Sequence, residues 1–132
     1  MAERKLEREF EIPICASDAL VDGGTGVRFQ VATPVGSCNA FAIRFDGRAY
    51  AYLNRCAHVA SELDWQPGEF FDHTGLYLVC ATHGALYEPE SGRCQGGPCN
   101  GGSLRPIAII ERDSFVYWLS DSDVFPVAPL AD

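Results

Sequence analysis

Cys80-Ala81-Thr82-His83-Gly84-Ala85-Leu86-Tyr87 decides how this chain is read, together with a shorter counterpart upstream, Cys56-Ala57-His58. Each piece carries one thiol and one imidazole, spaced by one residue in the first and by two in the second, with residues 59–79 between them. Working outward, both pieces are delivered by apolar runs. Arg48-Ala49-Tyr50-Ala51-Tyr52-Leu53 leads to Cys56, and Leu76-Tyr77-Leu78-Val79 leads to Cys80. Ala85-Leu86-Tyr87-Glu88 leaves the second piece as a further strand, and Glu90-Ser91-Gly92 turns it. Strand, donor pair, glycine turn, strand is a β pattern and a poor helical one.

Two thiolates and two imidazoles are the donor set of a two-iron, two-sulfide cluster in which histidines replace cysteines on one iron. The competing reading is tetrahedral zinc, which also takes two Cys and two His. Zinc sites usually pair like with like, a C-x-x-C knuckle followed by two histidines, whereas here each half mixes one of each. The cluster reading therefore leads, with Cys56, His58, Cys80 and His83 as ligands. Thiolate sulfurs need backbone N–H groups around them, and glycines at 84, 96 and 97 allow that close approach. Neutral imidazoles leave such a cluster less negative than four thiolates do, so it accepts an electron more easily.

The rest of the chain reads as short strands between turns. Gly and Pro number 13 and 8 among 132 residues, and they separate apolar runs of strand length. Phe10-Glu11-Ile12-Pro13-Ile14 alternates as a strand, with Pro13 favouring a sheet edge. Val27-Arg28-Phe29-Gln30-Val31 alternates strictly after the loop 22–26, and Thr33-Pro34-Val35-Gly36 breaks the chain. Phe41–Phe45, Asp46-Gly47 and Arg48–Leu53 form a hairpin across a two-residue turn. Ser61–Trp65 suits one helical turn, ended by Gln66-Pro67-Gly68. Residues 107–110 and 115–119 close the sheet as a hairpin around Arg112-Asp113, and the tail 121–132 reads as an arm or a partly ordered segment. The chain is one domain's worth, long enough for a core without staples.

Net charge is −8, which argues against nucleic acid and anionic membranes as partners. It suits both a basic docking patch on a protein and plain solubility. Nothing resembles a membrane span or a signal peptide, so the expected location is the cytoplasm, where six Cys suggest metal ligation before disulfides.

The sequence resembles the Rieske domain family, specifically its small soluble ferredoxins, from about Phe10 to Leu119. The specific part is Cys56-Ala57-His58, then Cys80-Ala81-Thr82-His83-Gly84-Ala85-Leu86-Tyr87-Glu88-Pro89-Glu90-Ser91-Gly92, then Gly96-Gly97-Pro98 with a following Leu104. The resemblance implies an all-β fold, a stack of antiparallel sheets with a cluster-binding subdomain, about 54–103, inserted in a base. It implies that Cys56 and Cys80 hold one iron of a 2Fe–2S cluster and His58 and His83 the outer one. A third loop would shield the cluster, with Pro98 in its place, and Gly84 and Tyr87 would stand around it. The implied role is single-electron carriage from a flavoprotein reductase to an oxygenase.

Departures from the family sharpen the expectation. Quinol-oxidising relatives carry an extra Cys in each ligand loop, joined as a disulfide; here the matching residues are Ser61 and Thr82. Their Tyr donor is kept as Tyr87, but their Ser donor is Ala85. A ferredoxin-type carrier in the lower half of the Rieske potential range is expected. The alternative is an accessory redox subunit or sensor, of the nitrite reductase small-subunit type. An oxygenase catalytic subunit would need a further mononuclear iron site, for which only His73 is left.

Cys94 and Cys99 bracket the shielding loop, either as small residues packed beside the cluster or as a redox-active disulfide or second metal site. Cys15 and Cys38 read as buried core thiols, and Trp65, Tyr77 and Trp118 as core aromatics. His73 and Glu88-Pro89-Glu90 read as solvated turns.

Overall fold

The structure of the protein, a computed structural model, describes residues 11–55, 62–64, 66–99 and 101–127. The described chain runs β1 (Glu11–Ala16), a 3-10 turn (Ser17–Ala19), β2 (Val27–Thr33), β3 (Gly36–Phe45), β4 (Arg48–Leu53), β5 (Leu78–Val79), β6 (Leu86–Tyr87), β7 (Cys94–Gly96), β8 (Pro106–Ile107), β9 (Ile109–Arg112) and β10 (Phe115–Leu119). These form three antiparallel sheets of order β1-β10-β9, β2-β3-β4-β8 and β5-β6-β7. No α-helix occurs among the described residues. The all-β stack expected from the sequence is the fold observed.

The central sheet is buried on both faces because β3 alternates small and large side chains. Ala40 and Ala42 face one way and Phe41 and Ile43 the other, all completely buried. The alanines join Val31, Ala51, Ile107, Val116, Trp118 and Val124 in the core shared with the β1-β10-β9 sheet. Phe41 and Ile43 join Tyr52, Leu63, Phe70, Leu78, Cys80, Ala85, Tyr87 and Cys99 in a second core under the small β5-β6-β7 sheet. Phe41 stacks on Phe70 with ring centroids 4.0 Å apart. Strand period two thus lets one strand serve two cores.

The β3–β4 hairpin turns on Asp46-Gly47, with φ of 51° and 83°, as a two-residue turn needs. The last hairpin turns one residue later than expected, on Asp113-Ser114, because Phe115 pairs with Arg112. Both turn residues have positive φ without being glycine, so the sequence signal there was weak. Pro13 does sit on an edge strand, β1.

Two other expectations are corrected. The run 107–110 is split: Ile107 pairs with Ala51 in the central sheet, while Ile109 pairs with Trp118 in the outer one. Residues 62–64 are not helical, and Ser61 and Trp65 lie outside the described residues. Over 121–127 the tail docks on the central sheet, with Val124 buried and Phe125 exchanging backbone hydrogen bonds with Ala32 (2.7 and 2.9 Å). Asp121 Oδ1 accepts the Asp123 and Val124 N–H groups, which bends the chain into that dock. Those amides hold the Asp121 carboxyl below its ordinary pKa.

Candidate metal centre

Cys80 follows β5 directly and opens a tight hairpin. Its N–H donates to the Ala85 carbonyl (2.9 Å), and its own carbonyl accepts from Gly84 N (2.7 Å) and His83 N (3.2 Å). Closing four residues so tightly requires a left-handed residue, supplied by Gly84 at φ +75°. The turn brings Cys80 Sγ to 3.5 Å from His83 Nδ1. Cys80 is completely buried and His83 half-buried, so the sulfur sits inward and the imidazole nearer solvent. A buried thiol and an imidazole converging on a glycine turn fit one half of a mixed Cys/His cluster site. Cys56 and His58, which the sequence reading expects as the other half, lie outside the described residues, and among the described residues no larger group of metal-binding side chains gathers.

The described residues on either side of 56–61, which hold the sequence-predicted pair Cys56 and His58, are joined by polar groups the sequence reading missed. Asn54, at the end of β4, and Asp64 are the two buried polar residues of the described chain. Asn54 Nδ2 donates to Asp64 Oδ1 (2.9 Å), and Asn54 Oδ1 accepts the Leu63 N–H (2.8 Å). Asp64 Oδ2 accepts the Gly68 N–H (3.0 Å), and Arg28 Nε lies 3.7 Å from the same oxygen. The Leu63 carbonyl in turn accepts the Ala81 N–H (2.9 Å). The Cys80–His83 hairpin is therefore tied through Leu63 to Asn54 and so to the end of β4. A single Asn and a single Asp have no periodicity to reveal them; their position just outside the donor pair was the one available sign.

The third loop lies against the second. Strand β7 pairs with β6, Leu86 opposite Gly96 and Tyr87 opposite Cys94, with a bulge between. Gly97, at φ +83°, packs so closely that a Cβ there would stand 2.8 Å from the Gly84 carbonyl oxygen and 3.0 Å from Ala85 Cα. Pro98 is exposed and Tyr87 fully buried. Cys94 and Cys99 form a disulfide across this loop, so of the alternatives left open the bridge is the one observed.

Several remaining expectations meet the structure here. Trp118 is core, but Tyr77 is 36% exposed, on a turn before β5 rather than in a strand. Cys15 and Cys38 are half-buried, at the margin of the core shared with the outer sheet. Burial raises both thiol pKa values, which keeps them protonated and poorly nucleophilic. His73 is exposed, as expected. The turn 88–90 is not wholly solvated: Pro89 is buried and its carbonyl accepts the Tyr52 hydroxyl (2.7 Å). Burial pushes that phenol well above its ordinary pKa, so it stays a donor.

The family model of the Rieske [2Fe-2S] domain matches residues 11–125. The chain belongs to the Rieske [2Fe-2S] domain family. Membership implies a 2Fe–2S cluster. No curated protein matches the sequence. Among solved structures with this fold is the ferredoxin of carbazole 1,9a-dioxygenase from Nocardioides aromaticivorans IC177, with a TM-score of 0.65 and 18% identity, covering 84% of this chain and 98% of that one. The Sphingomonas yanoikuyae B1 ferredoxin gives 0.62 and 18%, covering 84% and 99%. The quaternary ammonium Rieske monooxygenase CntA gives 0.67 and 19%, covering 91% of this chain but 34% of the larger one. A ferredoxin has also been seen in complex with its oxygenase in carbazole 1,9a-dioxygenase, and that match is 20% identical with a TM-score of 0.64 over 84% and 94% of the two chains.

Proposed function

We propose that this Rieske protein is an electron carrier, which takes single electrons from a flavoprotein reductase and hands them to an oxygenase. The observation that carries the reading is the Cys80–His83 hairpin, with its sulfur buried and its imidazole toward solvent. Cys56 and His58 would supply the matching half from the first loop. The cluster, when bound, would supply a one-electron couple. The protein's own part is to hold four donors, exclude water from the sulfurs, and present the histidine edge to a partner. Burial of Cys80 among Leu78, Ala85 and Tyr87 serves the second task, and the half-buried position of His83 serves the third.

One feature supports carriage over catalysis. The match to small ferredoxins spans nearly their whole length, whereas only a third of the monooxygenase is matched. The acidic net charge of −8 suits docking on basic partner surfaces.

The experiment is an anaerobic titration of holoprotein with dithionite, followed by mixing with an oxidised Rieske oxygenase. One electron per chain, passed on with rates that fall as salt rises, is the expected result. His83→Ala should yield protein without a stable cluster and without transfer. Uptake of no electron, or a normal cluster spectrum in His83→Ala, would overturn the reading.

A further inference from the structure

We infer that Cys94 and Cys99 form a thiol–disulfide site which sets how tightly the Gly97–Pro98 loop covers the cluster-binding hairpin, and which a dithiol reductant opens. The inference rests on the Rieske reading of Cys80 and His83 and adds a second redox group to it. The bridge joins residues only five apart in sequence. Closing so short a loop removes little entropy from the unfolded chain, so global stability is a poor reason for the bridge and its effect is local.

Its local effect falls on the hairpin. The bridged loop places Gly97 against the Gly84 carbonyl and Ala85, the residues that follow His83. Cys99 is 3% exposed and belongs to the same core as Cys80, Ala85 and Tyr87. A change in the bridge therefore bears on the packing around the second ligand pair and not on the base, where Cys15 and Cys38 remain thiols.

Both redox states are accommodated. Cys94 is half-buried, so an incoming thiolate attacks its sulfur, and Cys99 leaves as the buried partner. A second thiol of the same reductant then breaks the mixed disulfide. In balance, two electrons and two protons pass from the dithiol to the pair, giving two cysteine thiols and one oxidised dithiol. Once formed, the Cys99 thiol has acceptors at hand, with Sγ 3.3 Å from the Gly96 carbonyl oxygen and 3.6 Å from that of Leu86. The base of the loop stays closed without the bridge, since Cys94 N donates to Gly102 O (3.0 Å) and Gly102 N to Cys99 O (2.6 Å). Reduction thus slackens the cover and leaves the strand pairing beneath it in place.

The test uses holoprotein. Alkylation with iodoacetamide and mass analysis of the peptide spanning 94–112 reads the pair, and the rate of bleaching in air reads the cover. Protein as purified should block alkylation at both positions. Brief treatment with dithiothreitol, then its removal, should open both and shorten the cluster lifetime roughly tenfold. Reoxidation of the pair should restore the lifetime of the surviving clusters. The double variant Cys94→Ser with Cys99→Ser should bleach fast at the outset and show no further response to dithiothreitol. A Rieske protein with two free thiols at these positions, or one whose lifetime is the same in both states, overturns this inference and leaves the carrier reading intact. A protein that carries the bridge but never shows a Rieske spectrum overturns both.

Discussion

The base and the tip of the molecule are built by different physics. In the base, the β1-β10-β9 and β2-β3-β4-β8 sheets, every strand but the two-residue β8 runs four to ten residues, and the core between the two sheets is filled by alternating side chains such as Ala40, Ala42, Val116 and Trp118. In the tip, the β5-β6-β7 sheet with the turns around it, strands run two or three residues, and the chain is held by Asn54, Asp64, glycine turns and one disulfide. Long ladders give a rigid support but no freedom to place donors at a chosen spot. Short strands joined by tight turns give that freedom, and polar clamps then take over the work that periodic packing does below. Phe41 is where the two meet, since it lies in a base strand and stacks on Phe70 beneath the tip.

Breaking that junction should have the largest effect. Phe41→Ala empties a fully buried site and should lower unfolding free energy by about 3–5 kcal/mol, read by denaturant melts. Base and tip should lose stability together. A variant in which only the tip loosens would mean that Phe41 does not join them.

Asp64→Ala should separate the two regions. It leaves the Gly68 N–H and the Asn54 amide without their acceptor and should cost roughly 2 kcal/mol. Faster hydrogen exchange is expected at Leu63, Gly68 and Ala81, with β2 and β3 amides unchanged. Equal acceleration in the base would contradict a clamp local to the tip.

The smallest effect belongs to the base alone. Arg44 reaches Glu111 through Nη2 (2.7 Å) and also donates to the Ser17 and Leu20 carbonyls, pinning the outer sheet to the central one. The Arg44 hydrogen bond holds the Glu111 carboxyl below its ordinary pKa. The contribution is therefore present above the ordinary glutamate range and lost as pH falls through the depressed value. Glu111→Gln should cost about 1 kcal/mol at neutral pH, discounted for partial exposure, and the gap from the parent protein should close in acid. A gap that stays constant to low pH would assign the loss to packing.

The same contrast explains what the sequence made legible. The β3–β4 hairpin was readable because Asp46-Gly47 is a turn pair flanked by alternating strands. The edge position of β1 was readable from Pro13. Strand β7 was hidden inside a glycine-rich stretch, because Cys94-Gln95-Gly96 has no strand composition and forms only by pairing with β6. The split at Ala108 and the docking of Phe125 on Ala32 depend on which sheet lies within reach, a tertiary matter with no local trace. At the site, Cys80 and His83 were legible as chemistry, whereas Asn54 and Asp64 act through placement alone.

The central claim is that sulfur and imidazole share one two-iron cluster. It is tested most directly by electron paramagnetic resonance of the dithionite-reduced protein, with nitrogen couplings measured after labelling histidine with 15N. Two strongly coupled imidazole nitrogens on a reduced 2Fe–2S signal are the predicted result. A cluster signal free of histidine nitrogen, or a reduced protein with no cluster signal, would contradict it.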